Sequence, residues 1–252
     1  MAEVLAPPPW NLEQLIEAAR ERLDDLPGDV VDAAVEDWKA NDDGLLWTNS
    51  ELAQYADEAQ FEIVRRRPIK DNTTAAITQI AVTAAAPTYP YHASILQIED
   101  AYFVETVAGT HHELVKRTHA DMRDFRPLWR TDEDGKPDTY IEDLTERSVT
   151  LYRTPDVAGT LFLTVRRLPK SRLNWNFRNA MLECAAEHQY NLLDWILYRA
   201  YAKDDIETRD ERRAKTHLDE FNVAIGVRPS AAREQLLRNE RNTYRRTHAQ
   251  FF

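Results

Sequence analysis

The sequence predicts an α+β protein in which N- and C-terminal helices form one bundle and a small antiparallel β-sheet domain is inserted between them. Three observations point to that class. Apolar residues recur at helical spacing through residues 12–26 and 52–63. From about residue 74 the pattern becomes β-branched and alternating. After Pro169 the helical period returns and runs to Ile225. The implied organisation is an extended arm (1–9), N-terminal bundle helices (10–73), a β-rich domain (74–170), C-terminal bundle helices (171–226) and a basic C-terminal docking segment (227–252).

The arm follows from three consecutive prolines, Pro7–Pro9, which forbid helix and favour a polyproline-like rod. The first helix starts near Trp10, carries the stripe Leu12, Leu15, Ile16, Ala19, Leu23, Leu26, and stops at Pro27-Gly28. Residues 29–46 show no decisive period. Thr48 with Glu51 three positions on is a capping box, and Leu52, Tyr55, Ala56, Ala59 and Ile63 continue one face until Pro68. In the β region, Ile80 and Val82 precede an APTYPY turn and then Ile95, Leu96 and Ile98. Residues 111–126 read as a short helix, and DEDGKP breaks the chain before Tyr140-Ile141. Val149 and Leu151 on one strand and Leu161, Leu163 and Val165 on the next suggest a hairpin joined by TPDVAGT. Helices resume at about residue 178. Leu193, Ile196, Leu197, Ala200 and Tyr201 form one stripe and, beyond the acidic elbow Asp204-Asp205, Ala214, Leu218, Phe221 and Ile225 form the next. Gly226 and Pro229 set off the last segment.

At 252 residues and 43% hydrophobic content the chain can bury a substantial core. It has no apolar run of about 18 residues to span a bilayer and no basic-then-apolar leader, so a cytosolic product with no membrane role is expected. The lone Cys184 suits a buried small hydrophobe. The net charge of −11 is uneven: residues 1–68 hold 16 acidic and 6 basic groups, whereas 226–252 hold 2 and 6. An acidic body with a cationic tail disfavours general or sequence-specific nucleic-acid binding, whose footprint is a basic surface.

Candidate chemistry is sparse. His92, His111, His112 and His119 are the only grouping along the chain that suggests a metal, but neither H-E-x-x-H nor C-x-x-C occurs, so the expectation is solvated histidines and no metal. Asp204, Asp205, Glu207, Asp210 and Glu211 could serve acid–base chemistry. They are better placed to stabilise the start of the next helix, with Asp205 or Thr208 as its cap. Neither a glycine-rich phosphate loop nor a G-x-S-x-G elbow is present, so no cofactor and no enzymatic activity are expected. The tail interleaves Arg233, Arg238, Arg241, Arg245 and Arg246 with Tyr244, Phe251 and Phe252. Guanidinium forks and aromatics together are typical of interface hot spots, so this segment is expected to dock on another chain and to order as it does so.

The segment LLDWILYRAYAKDDIETRDERRAKTHLDEF resembles the C-terminal helices of the head-to-tail adaptor proteins of tailed bacteriophages, of the tail tubular protein A type. WTNSELAQYADEAQFEIVRRRP resembles that family's second helix, FRPLWRTDEDGKPDTYIED its link into the sheet, and SVTLYRTPDVAGTLFLTVRRLP its hairpin. Together, in this order, they carry the resemblance from about Trp10 to Gly226. It implies a structural virion protein, made in the host cytoplasm, that assembles as a ring, commonly of twelve copies, between the portal protein and a tail nozzle or neck protein. Genome DNA passes through the bore. It also implies that the C-terminal segment docks on the portal, which on composition and place in the chain assigns that contact to Arg233, Arg238, Arg241, Tyr244, Arg245, Arg246, Phe251 and Phe252. The alternatives are a soluble, non-virion regulatory or chaperone-like module that uses the arginine-rich tail, and an enzyme of the metal-hydrolase type using the histidine cluster, whose bound metal would be lost on changing His112 or His119.

Overall fold

The structure, a computed structural model, describes residues 9–25, 39–40, 45–142, 144–228 and 230. The proposed arm (save Pro9), most of 29–46 and the docking segment beyond Ser230 lie outside the described residues. In chain order the helices are α1 (Leu12–Leu23), α2 (Asn49–Arg66), α3 (Ala75–Thr78), α4 (His119–Phe125), α5 (Gln189–Tyr201) and α6 (Glu211–Ile225). The strands are β1 (Ile69–Asp71), β2 (Gln79–Val82), β3 (Thr88–Pro90), β4 (Ile95–Glu105), β5 (His111–Glu113), β6 (Val115–Arg117), β7 (Thr139–Glu142), β8 (Ser148–Tyr152) and β9 (Gly159–Arg167). The protein is α+β. The described chain divides into a helical unit, residues up to Ile69 with Leu168–Arg228, and a β-rich unit, Lys70–Arg167.

In the helical unit the apolar stripes meet in one core: Leu12, Leu15 and Ile16 from α1, Leu52, Ala56 and Ile63 from α2, Leu193, Ile196 and Ala200 from α5, Phe221 and Ile225 from α6. Thr48 and Glu51 make the reciprocal capping box that the sequence predicts. Asn11 and Gln14 make a second one at the start of α1. That helix ends earlier than expected. Asp24 takes the left-handed conformation at φ 55° and donates its N–H to the Arg20 and Glu21 carbonyls. The chain then turns so that Asp25 faces back on Arg20. The C-terminal helices also start later than expected, because residues 173–188 hold only two 3-10 turns, Trp175–Phe177 and Ala186–His188. This stretch has a different use. Its carbonyls at Arg178 and Ala180 accept from Glu13 N and Leu12 N at 2.9 and 3.0 Å, satisfying donors that a helix start otherwise leaves open.

The β-rich unit has two sheets. One is five-stranded: β4 lies along one edge of β9, β1 and β2 along the other, and β5 adds to β4. The second runs β3-β8-β7-β6, with β6 and β7 parallel and the other pairs antiparallel. The two sheets share a core of Ile98, Phe103, Leu161 and Val165 from one and Tyr89, Tyr140, Val149 and Leu151 from the other. The expected hairpin of 148–152 with 159–165 is therefore corrected. Both strands exist and point the named residues inward, but β8 pairs with β3 and β7 while β9 pairs with β1, β2 and β4, so TPDVAGT carries the chain from one sheet to the other. Alternation reveals which face is buried, and says nothing of the partner. The expected helix over 111–126 is real only for α4; His111–Glu113 and Val115–Arg117 are strands. The other face of the second sheet is covered by Met122 of α4 and by Trp129, which pack on Ile141 and Tyr152. Every residue of β8 is consequently buried. Among the described residues no helix is long and apolar enough to cross a membrane.

Candidate interaction site

The residues assigned to portal docking, Arg233, Arg238, Arg241, Tyr244, Arg245, Arg246, Phe251 and Phe252, lie outside the described residues. The root of that segment is described and firmly held. Arg66, at the end of α2, donates to Asn222 Oδ1 at 2.8 Å and to the Gly226 carbonyl at 2.5 Å, and its guanidinium lies over the Phe221 ring at 4.8 Å. Gly226 has φ 92°, where an L side chain is strained, so glycine is needed for the chain to leave α6 in this direction. Arg228 then reaches Glu62 at 3.7 Å. The C-terminal segment thus departs from a point pinned to α2.

The acidic elbow between α5 and α6 is a capping and ion-pair structure. Asp210 is the cap: its Oδ1 accepts from Arg212 N and Arg213 N, both at 3.0 Å. This corrects the expectation of Asp205 or Thr208. Asp205 instead accepts from Glu207 N at 3.2 Å within the preceding turn, and Thr208 is buried. Arg209 bridges Asp204 at 2.9 Å and Glu211 at 2.5 Å; its hydrogen bond to Glu211, foremost, raises its already high pKa. Asp204 is almost fully exposed, so these carboxylates lack the burial that perturbs catalytic acids.

The four histidines grouped along the chain have separate partners. His92 Nδ1 meets Ser94 at 2.8 Å, His112 Nε2 meets Glu105 at 2.7 Å, and His119 Nε2 faces Arg130 at 3.1 Å. His111 stacks on Tyr102 at 5.7 Å between ring centroids. Cys184 is buried and its thiol is pushed up to about 12 by that burial.

Two features escaped sequence reasoning. The first is a fully buried cation: Arg20 Nη1 donates to Asp25 Oδ2 at 2.6 Å, and Nη2 donates to the Trp47 carbonyl at 2.9 Å and Asn49 Oδ1 at 2.7 Å. Its signal was available, since Arg20 stands four residues after Ile16 and three before Leu23 on the apolar face of α1. The second is exposed apolar surface. Phe177, Met181 and Tyr190 protrude beside the start of α1, where Asn11 bridges to Met181 and Trp10 meets Tyr190 edge-on at 4.8 Å. Phe125 and Leu128 protrude from the β-rich unit.

The family model of the SU10 adaptor protein matches residues 10–248. The chain belongs to the SU10 adaptor protein family. No curated protein matches it. The matched span takes in both units and runs through Arg233, Arg238, Arg241, Tyr244, Arg245 and Arg246, while Phe251 and Phe252 fall beyond it. As an SU10 adaptor family member the chain combines a helical unit and a β-rich unit, each with its own core, with ion-paired carboxylates and protruding apolar residues.

Proposed function

We propose that this adaptor-family protein is a structural component of a tailed-phage particle, forming a ring between the portal and the tail nozzle or neck protein and carrying out no chemical transformation. The family match over residues 10–248 carries this reading. Ring formation, commonly with twelve copies, calls for contact surface, and the protruding Phe177, Met181 and Tyr190 of the helical unit and Phe125 and Leu128 of the β-rich unit are offered for it. The net charge of −11 suits a bore through which DNA travels, because a negative wall repels phosphates and keeps the duplex from adhering.

The C-terminal segment is proposed to dock on the portal through Arg233, Arg238, Arg241, Tyr244, Arg245, Arg246, Phe251 and Phe252. Departure from a point fixed by Arg66 gives it a defined origin. Co-sedimentation of the purified protein with assembled portal tests both levels. Full-length protein is expected to co-sediment and a version ending at Gly226 to bind far more weakly. Equal binding by the two versions overturns tail docking, and no binding by either overturns the portal-adaptor reading.

A further inference from the structure

Asp194 of α5 and His217 and Glu220 of α6 form, among the described residues, the one group of three metal-type donors whose ligand atoms all lie within 4.8 Å of one another. Residues three apart share a helix face, so His217 and Glu220 approach Asp194 together from α6. His217 Nδ1 lies 3.2 Å from Glu220 Oε2 and 3.8 Å from Asp194 Oδ1. A tetrahedral ion with ligand bonds of about 2.0–2.2 Å sets its donors about 3.3–3.6 Å apart. Both imidazole–carboxylate distances are within a few tenths of an ångström of that, while the two carboxylates, within 4.8 Å of each other, close on an ion by rotation of the largely exposed Glu220 side chain. The ring is also held in place. It stacks on Tyr201 of α5 with 6.0 Å between centroids and 9° between planes.

We propose that this triad is a binding site for a zinc-class divalent metal ion, tying α5 to α6. One imidazole and two carboxylates, with a fourth position for water, match the mixed nitrogen and oxygen ligation that zinc accepts. Burial, then the negative charge of Glu220, raises the Asp194 pKa, and a bound cation would oppose both. Arg22 and His217 are the positive groups acting on Asp194 from the protein itself. Binding requires the neutral imidazole with its proton on Nε2, so that Nδ1 offers its lone pair and any proton there is released to solvent. None of this depends on the phage-particle reading.

The test is titration of the full chain with zinc chloride and, as a spectroscopic probe, cobalt(II) chloride. One ion per chain, visible cobalt bands of a four-coordinate site and a rise in Tm are expected. His217→Ala abolishes all three. Glu220→Gln, whose side chain is largely exposed and can change without disturbing the core, weakens affinity by at least about 10-fold, as does Asp194→Asn. His119→Ala, an exposed histidine of the other unit, changes nothing. Failure of the native protein to bind either ion, or binding that survives unaltered in folded Glu220→Gln and Asp194→Asn, overturns the assignment.

Discussion

Replacing Arg20 with methionine removes a guanidinium that is 0% exposed and leaves the Asp25 carboxylate, 4% exposed, facing the core without its cation. Asp25 then keeps only backbone donors, Leu46 N at 2.9 Å and Trp47 N at 3.4 Å. Breaking a buried pair from one side costs about 3–5 kcal/mol, because the remaining charge stays desolvated. The Trp47 carbonyl and Asn49 Oδ1 lose donors as well, which favours the upper part of that range. At a urea dependence of about 3 kcal/mol per M the midpoint moves down by about 1 to 1.7 M. Tryptophan fluorescence suits the assay, since Trp10, Trp47, Trp175 and Trp195 all belong to the helical unit. Arg20→Met combined with Asp25→Asn should cost less than the sum of the single changes, by about 1–3 kcal/mol, because the second change removes the stranded charge. Single losses below about 1 kcal/mol, or strict additivity, would refute the view that this ion pair holds the turn after α1 against α2.

Asp71 gives a pH prediction in the β-rich unit. Burial acts to raise its pKa, but hydrogen bonds from Thr73 and Thr74 and from Arg167, the last at 2.6 Å, outweigh it and hold the carboxyl well below the usual range. A folded pKa below the unfolded value of about 3.9 means the stabilisation is fully present above that pH and is lost as pH falls toward the folded pKa. Asp71→Asn should lower stability near neutrality and flatten its decline below about pH 4, read by denaturant midpoints across pH. Gly159→Ala should be destabilising by about 1–3 kcal/mol or more, because a Cβ there falls 2.3 Å from both Phe103 Cε2 and the Val104 carbonyl oxygen; an unchanged Tm would contradict the close crossing of β4 and β9. Asp210→Ala should cost about 1 kcal/mol and Asp205→Ala much less, since Asp210 caps α6; a larger loss for Asp205→Ala in thermal melts would restore Asp205 as the cap.

Local chemistry was legible in the sequence where the determinants are local. The Thr48–Glu51 box and the stripes of α2 and α5 appear as read, and that of α6 does so except that Leu218 is only half-buried, because capping and amphipathic spacing act within a few residues. The inward residues of β8 and β9 were also readable, but their pairing was not, since the same alternation fits a hairpin and two facing sheets. Strands as short as β5 and β6 carry too few residues for a period, and HHELVKR reads equally well as helix. The Arg20–Asp25 pair depends on a turn that brings residue 25 back on α1, and the Asp194–His217–Glu220 group on α5 and α6 packing face to face. Both are products of tertiary structure. The cationic aromatic tail was legible only as composition, and its role rests on what it meets.

Electron microscopy of the particle neck, with the protein located by its own density, decides whether this chain joins head to tail. A closed ring of copies is expected around the DNA path, between portal and tail, with the segment after Gly226 running against the portal. Purified particles whose neck lacks this protein would contradict it.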